Sequence, residues 1–263
     1  MLQTILALWV GDRLSTVERL SLTSFVANGH PVHLYTYGEV EGVPRRVVIK
    51  DANDIIHESK IFTYKGRPSY AGFANHFRYE LLRKEEGIWV DTDTVCLKPF
   101  DFEDEYLFGW QGQECNTAVL KLPSDSEALA HVASLALKPN KWQPWDAPKI
   151  KGRKFIRKYF KGNRINDLRW GETGPFGLTN VLKLYGLDGL AKPASWFYPV
   201  PYYSWRSLFD ETYCDRLDFF DGSYSVHLWN EMLRLDEEFD KDATFPECSL
   251  FEVMKKRYGV TSG

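Results

Sequence analysis

The chain is poor in sulfur, with four cysteines and three methionines in 263 residues. Cys96, Cys115, Cys214 and Cys248 form no Cys-x-x-Cys pair and have no His-x-His beside them, which argues against a zinc site. Scattered in this way, they read as reduced thiols of a cytoplasmic protein. Long apolar runs are missing too. Thr4–Val10 falls far short of the roughly 20 residues that a membrane-spanning helix needs. It also has no basic segment before it, as a secretory signal would. The expectation is a soluble, cytoplasmic protein that touches a membrane peripherally if at all. Excess positive charge is absent: 33 Lys and Arg against 36 Asp and Glu leave a net charge of −3, which argues against general nucleic-acid binding. No Gly-x-Gly-x-x-Gly follows the first apolar run, which disfavours a dinucleotide-binding dehydrogenase. Nothing resembling a linker, repeat or low-complexity tract divides the chain, so residues 1–263 read as one domain.

Aromatic residues are plentiful: 9 Trp, 14 Tyr and 17 Phe. Most are expected in the core. Charge is unevenly spread. Between Lys138 and Arg169 stand eleven Lys or Arg against Asp146 and Asp167, a local +9 that leaves −12 for the rest. Aromatic residues (Trp142, Trp145, Phe155, Tyr159 and Phe160) are interleaved there. Segment 138–169 therefore reads as a peripheral contact with an anionic membrane, a grip on an anionic acceptor, or a basic face turned to water.

The chain begins with an apolar run, Thr4–Val10, of the kind buried on both faces of a parallel sheet. Ser15 and Glu18 then form a capping-box pattern, and Asn28-Gly29 closes the helix. Val32–Thr36 and Val47–Ile49 follow as strands, with a short helix over Ala52–Glu58. This strand–helix–strand opening predicts an α/β fold with a parallel sheet. Tyr70–Glu86 is the clearest helix: Phe73, Phe77 and Leu81 share one face, and Asn75, Arg78 and Leu82 another. Ile88–Val90 is a buried strand ending at Asp91-Thr92-Asp93. Further on, the pattern predicts a strand over Thr117–Leu122 and helices over Ser124–Leu137, Lys149–Lys161 and Phe176–Leu184. Trp196–Tyr203 reads as an aromatic strand or loop, Tyr224–Trp229 as a strand and Ser249–Tyr258 as a helix.

Asp91 and Asp93 carry the chemistry. In a strand, residues i and i+2 point to one side, so both carboxylates face one small volume, and two carboxylates that close repel unless a cation or proton intervenes. A hard divalent ion suits such a pair, and the C-terminal edge of a parallel sheet is where ligands bind. Taken alone, an Asp-x-Asp also fits a solvated acidic turn.

The run SYAGFANHFRYELLRKEEGIWVDTDTVCLKP over residues 69–99 resembles the sugar-binding region of Asp-x-Asp retaining glycosyltransferases. These include the capsular-polysaccharide and α-1,4-glycosyltransferases, yeast mannosyltransferases and, more distantly, the clostridial glucosylating toxins. Trp9-Val10-Gly11, Thr173-Gly174-Pro175 and Val226–Asn230 are similar to further motifs of that family. The resemblance implies a GT-A fold in which residues 1–110 hold a nucleotide sugar, UDP-linked by preference, and 111–263 hold a carbohydrate or glycoconjugate acceptor. It implies that Asp93, Asp91 and His227 bind Mn²⁺ or Mg²⁺. Trp9, Val10, Asn75, Arg78, Asp91 and Trp229 would line the donor site, and Asp91, Asp93 and Arg78 would serve catalysis in polysaccharide biosynthesis. Relatives usually carry Asp where Asn75 stands here, so a neutral amide replaces a charge. Asn116, Trp196 and Tyr202 are further candidate sugar contacts. No carboxylate pair presents itself as nucleophile and acid, Glu172 being the one candidate. The resemblance implies retention by front-side attack.

Two other readings compete. Val90–Val95 also fits the haloacid-dehalogenase phosphatase motif, with Asp91 as nucleophile. Against it, some 85 residues of α/β pattern precede the motif, and Asp236-Glu237-Glu238 is a poor partner acidic pair. The second is a non-catalytic scaffold that binds a nucleotide sugar, towards which Asn75 leans.

Overall fold

A computed structural model describes residues 2–262. In chain order the elements are β1 (Ile5–Leu8), α1 (Thr16–Ala27), β2 (Val32–Thr36), β3 (Val47–Asp51), α2 (Ala71–Lys84), β4 (Ile88–Val90), β5 (Thr94–Cys96), β6 (Trp110–Gln111), β7 (Glu114–Cys115), β8 (Val119–Leu120), α3 (Glu127–Leu137), α4 (Pro148–Phe160), α5 (Pro175–Leu184), α6 (Ala194–Phe197), β9 (Ser225–His227), α7 (Asn230–Leu235) and α8 (Leu250–Tyr258). The central sheet runs β3-β2-β1-β4-β8. Its first three pairings are parallel, and β8 lies antiparallel on β4. The expected α/β architecture with a mainly parallel sheet is the one observed.

The alternation of β1 explains the layering. Ile5 and Ala7 enter one core with Val17, Leu20 and Phe25 of α1 and Phe251 of α8. Leu6 and Leu8 enter the other, with Phe73 and Phe77 of α2, Leu129 of α3 and Val181 of α5. A strand covered on both faces gains little from polar alternation, which is why Thr4–Val10 is apolar throughout. Helix α1 starts where the capping box predicts, with the Ser15 amide donating to Glu18 Oε2 at 2.9 Å. Between α2 and β4 only glycine fits: a Cβ on Gly87 would lie 2.6 Å from the Thr4 carbonyl.

Three expectations need correction. The segment after β3 is not one short helix but two 3-10 turns, Ala52–Asp54 and Glu58–Lys60. Trp196–Tyr203 is not a strand, and only Tyr198–Pro201 within it is loop. It falls across α6 and a 3-10 stretch over Tyr202–Leu208, joined at Pro199 and Pro201, which cannot donate to a ladder. The four cysteines are not all reduced. Cys214 and Cys248 form a disulfide across a sequence separation of 34, while Cys96 and Cys115 are free and buried. The inference of a cytoplasmic setting from reduced thiols loses its basis. Among the described residues no helix is long and apolar enough to cross a membrane.

Candidate metal centre

β1 and β4 lie side by side and parallel, with Leu6 opposite Trp89. Trp9-Val10 and Asp91–Asp93 therefore leave the sheet at the same C-terminal edge. Strand β4 stops at Val90, and Asp91–Asp93 turn into β5 rather than continuing the ladder. The two carboxylates converge because the chain bends, not because strand residues alternate. β5 then pairs antiparallel with β9, which sets Thr94 opposite His227. One ligand atom from each of Asp91, Asp93 and His227 falls within 4.8 Å of the other two. Two carboxylate oxygens and an imidazole nitrogen in that space suit a divalent cation such as Mn²⁺ or Mg²⁺.

Each ligand is held from behind. Asp91 Oδ1 accepts from Arg78 Nη2 at 2.9 Å and from Trp89 Nε1 at 2.8 Å. Arg78 is buried; it also donates to the Thr117 carbonyl at 2.5 Å and lies 4.9 Å above the Trp89 ring. Its guanidinium is thus engaged in positioning Asp91 and the segment leading into β8. Asp93 Oδ2 accepts the Asn230 amide at 2.6 Å and sits 3.1 Å from His227 Nε2. The Asn230 amide reaches it because Trp229 adopts a left-handed backbone (φ 60°, ψ 52°), a costly conformation for an aromatic residue and a mark of a constrained site. Burial pushes the Asp91 carboxyl above the usual range, with Arg78 opposing. Burial acts on Asp93 in the same direction, but His227 and the Asn230 amide outweigh it and hold that group below its ordinary value. The pair therefore splits, as two neighbouring carboxylates must.

Several buried polar atoms around this edge have no partner among the described residues: Trp9 Nε1, Thr94 Oγ1, His227 Nδ1 and Asn230 Oδ1. Unpaired buried groups cost free energy unless a ligand or water satisfies them, so their clustering marks a binding region. Trp229 is a wall rather than a donor here; its Nε1 is bonded to the Val200 carbonyl at 2.9 Å, and its ring centroid is 4.1 Å from that of His227. Val10 packs against the core on the α2 side. Asn75 is buried beneath the Thr173–Pro175 turn, where a Cβ on Gly174 would lie 2.8 Å from Asn75 Nδ2.

The other candidate contacts have these surroundings. Asn116 gives its amide to Gln111 at 2.5 Å and accepts from the Ala118 amide at 2.8 Å, so it shapes the approach to β8. Half-buried Trp196 stacks on Phe102 against the core, while exposed Tyr202 lies against Trp229, 6.3 Å between ring centroids. Glu172 forms a two-point ion pair with Arg157 at 2.6 and 2.8 Å, and is no free nucleophile. Sequence reasoning gave no role to Trp89 or Asn230. Trp89 was discoverable as an indole N–H donor two residues before Asp91.

Residues 189–244 match a family model described as "Alpha 1,4-glycosyltransferase conserved region", a span that includes His227, Trp229 and Asn230. The chain is 28% identical over 166 residues to a lactosylceramide 4-alpha-galactosyltransferase of Rattus norvegicus, covering 59% of this chain and 39% of that protein. It is 23% identical over 168 residues to a Homo sapiens alpha-1,4-N-acetylglucosaminyltransferase, covering 59% of this chain and 41% of that one. The aligned segments thus span about two fifths of the length of these relatives. Among solved structures it is similar to the PaToxG glycosyltransferase at 15% identity and a TM-score of 0.46, with 72% of each chain covered.

Proposed function

We propose that this chain is a metal-dependent glycosyltransferase that moves a sugar from a nucleotide diphosphate, UDP by preference, to a hydroxyl of a glycan or glycoconjugate. The observation that carries the reading is the convergence of Asp91, Asp93 and His227 at the C-terminal sheet edge. Mn²⁺ or Mg²⁺ held there would supply charge neutralisation for a departing diphosphate. The chain's own residues do the positioning. Arg78 and Trp89 aim Asp91, while the Asn230 amide and His227 aim Asp93. Trp9 offers an unpartnered indole N–H at the same edge, and Asn75 a neutral amide under Gly174. Residues 1–110 would carry the donor half of a single GT-A domain, and residues 111–263 the acceptor half.

The relatives' names support a hexosyl or N-acetylhexosaminyl donor and an α-linked product. Nucleotide sugars of this kind are α-linked, so an α product means retention. Glu172, the one carboxylate nominated as nucleophile, is bound to Arg157, in keeping with front-side attack. A phosphatase reading has no support: Asp91 is fastened by Arg78 and Trp89, and Asp236 is paired with Arg206.

The test is to incubate the protein with Mn²⁺ and a panel of UDP- and GDP-sugars and follow nucleoside diphosphate release. Release should occur and fall at least about a hundredfold in Asp93→Ala. Binding without turnover, whatever the acceptor, would indicate a non-catalytic scaffold. Phosphate release from a simple phosphomonoester without any nucleotide-sugar response would overturn the proposal.

A further inference from the structure

Helix α4 is inside out. A surface helix ordinarily turns its apolar stripe inward and its charges to water. Here Lys154 and Arg157 are the buried residues, three apart on one face. Lys154 Nζ is 2.8 Å from Asp146, and Arg157 is paired with Glu172 at 2.6 Å. The opposite face carries Phe155, Ile156, Tyr159 and Phe160, which are 44%, 48%, 61% and 75% exposed. Their spacing of i, i+1, i+4 and i+5 forms one continuous stripe on a helix. Trp142 extends it: 56% exposed, its indole donates to the Lys151 carbonyl at 3.2 Å.

The charges bordering the stripe are of one sign. Lys149, Lys158 and Lys161 are exposed. The two acids of segment 138–169 are both engaged: Asp146 is buried against Lys154, and Asp167 lies 3.9 Å from Lys65. The outward face therefore combines aromatic side chains with unopposed positive charge, while the remainder of the chain carries −12 in a total of −3. A partner helix or second copy would have to supply an acidic apolar groove. An anionic lipid surface offers both requirements at once, an apolar layer for the rings and phosphate or carboxylate headgroups for the lysines. The acidic remainder would be repelled from the same surface, which orients the molecule.

We propose that the outward face of α4, with Trp142, is a docking surface for anionic phospholipid bilayers. The ion pairs beneath it give the helix a rigid seat: Arg157 is tied to Glu172, which precedes the Thr173–Pro175 turn that lies over Asn75. Docking would bring the candidate centre and a lipid-linked acceptor to one surface. That last consequence rests on the glycosyltransferase reading; binding to lipid does not.

Co-flotation of the full chain with vesicles tests this directly. Phosphatidylcholine vesicles containing phosphatidylserine should retain the protein, pure phosphatidylcholine should not, and high salt should release it. Phe155→Ser with Phe160→Ser should lower retention at least about tenfold, as should Lys158→Glu with Lys161→Glu. Both pairs are solvent-facing, so either remains informative if the other fails to fold. Equal retention on neutral and anionic vesicles, no retention at all, or retention unchanged in both variants would overturn the proposal. So would a dimer that Phe155→Ser dissociates and that binds no vesicles. Nucleoside diphosphate release by protein free of vesicles is measured separately, so loss of one reading leaves the other standing.

Discussion

Glu172 illustrates how a single side chain can be read for one role and found in another. Burial raises its pKa, but the hydrogen bonds and charge of Arg157 outweigh burial and hold it below the ordinary 4.5. A carboxylate depressed in the fold contributes stability above its unfolded pKa and loses it as pH falls through the folded value. Glu172→Gln should therefore cost about 3 kcal/mol at neutral pH, because Arg157 is left buried without its counter-charge. The gap to the parent should begin to close as the pH falls below the unfolded value of about 4.5 and vanish through the lower folded value, where the parent also becomes neutral. Urea unfolding of both proteins across that range checks it, and a gap that stays constant down to roughly pH 3 refutes the assignment. At this scale the sequence was informative about residue types and poor about partners. Asp91, Asp93 and His227 were legible as ligands. Their convergence through a turn, and the support of Asp93 by a backbone amide from a left-handed Trp229, were not. Backbone donors carry no signature in a side-chain alphabet.

Two glycines, Gly177 between α5 and α3 and Gly174 between the turn before α5 and α2, should respond differently to the same substitution. A Cβ on Gly177 would sit 2.7 Å from Leu135 and 2.8 Å from the Glu172 carbonyl, a backbone atom that cannot swing aside. Gly177→Ala should push α5 off α3 and destabilise the protein by about 1–3 kcal/mol. At Gly174 the obstacle is only the Asn75 amide, the end of a side chain, at 2.8 Å. Gly174→Ala should change stability by less than about 1 kcal/mol, yet displace Asn75 and so, on the glycosyltransferase reading proposed above, alter the KM or turnover for the sugar donor. Thermal melts with donor kinetics on both variants separate the two outcomes; equal destabilisation would show that the turn is not adjustable. Elements with strong periodicity or caps (α1, α2, β4, α8) were legible because local signals and burial agree. The aromatic stretch around Pro199 was not, since Tyr and Trp favour strands while prolines break them, and only packing of Trp205 and Phe209 on Phe239 decides for turns. For α4 the helix itself was readable but its inverted facing was not, because Asp146 and Glu172, which capture the charges, lie outside it.

At the scale of the whole molecule, the α/β class and parallel sheet follow from the alternation of apolar strands with amphipathic helices, while the long-range cross-link does not. Cysteine spacing alone leaves pairing open. Cys214 and Cys248 meet because the 3-10 turn at Glu211–Tyr213 and the segment entering α8 fold onto one core, with Cα atoms 4.8 Å apart. A bridge spanning 34 residues restricts the unfolded chain, and its loss should cost about 2–4 kcal/mol. Reducing agent, or Cys214→Ser with Cys248→Ser, should therefore lower the melting temperature by similar amounts. Burial raises the Cys96 thiol far above its ordinary value and pushes Cys115 up to about 12. Thiolate is the reactive form, so neither should react quickly with a disulfide reagent in the folded protein. Denatured without reductant, the chain should present two thiols, and after reduction four. Such a count would show a disulfide that persists under oxidising conditions. Four reactive thiols in the denatured, unreduced protein would instead restore the reading of reduced cysteines and with it the cytoplasmic setting.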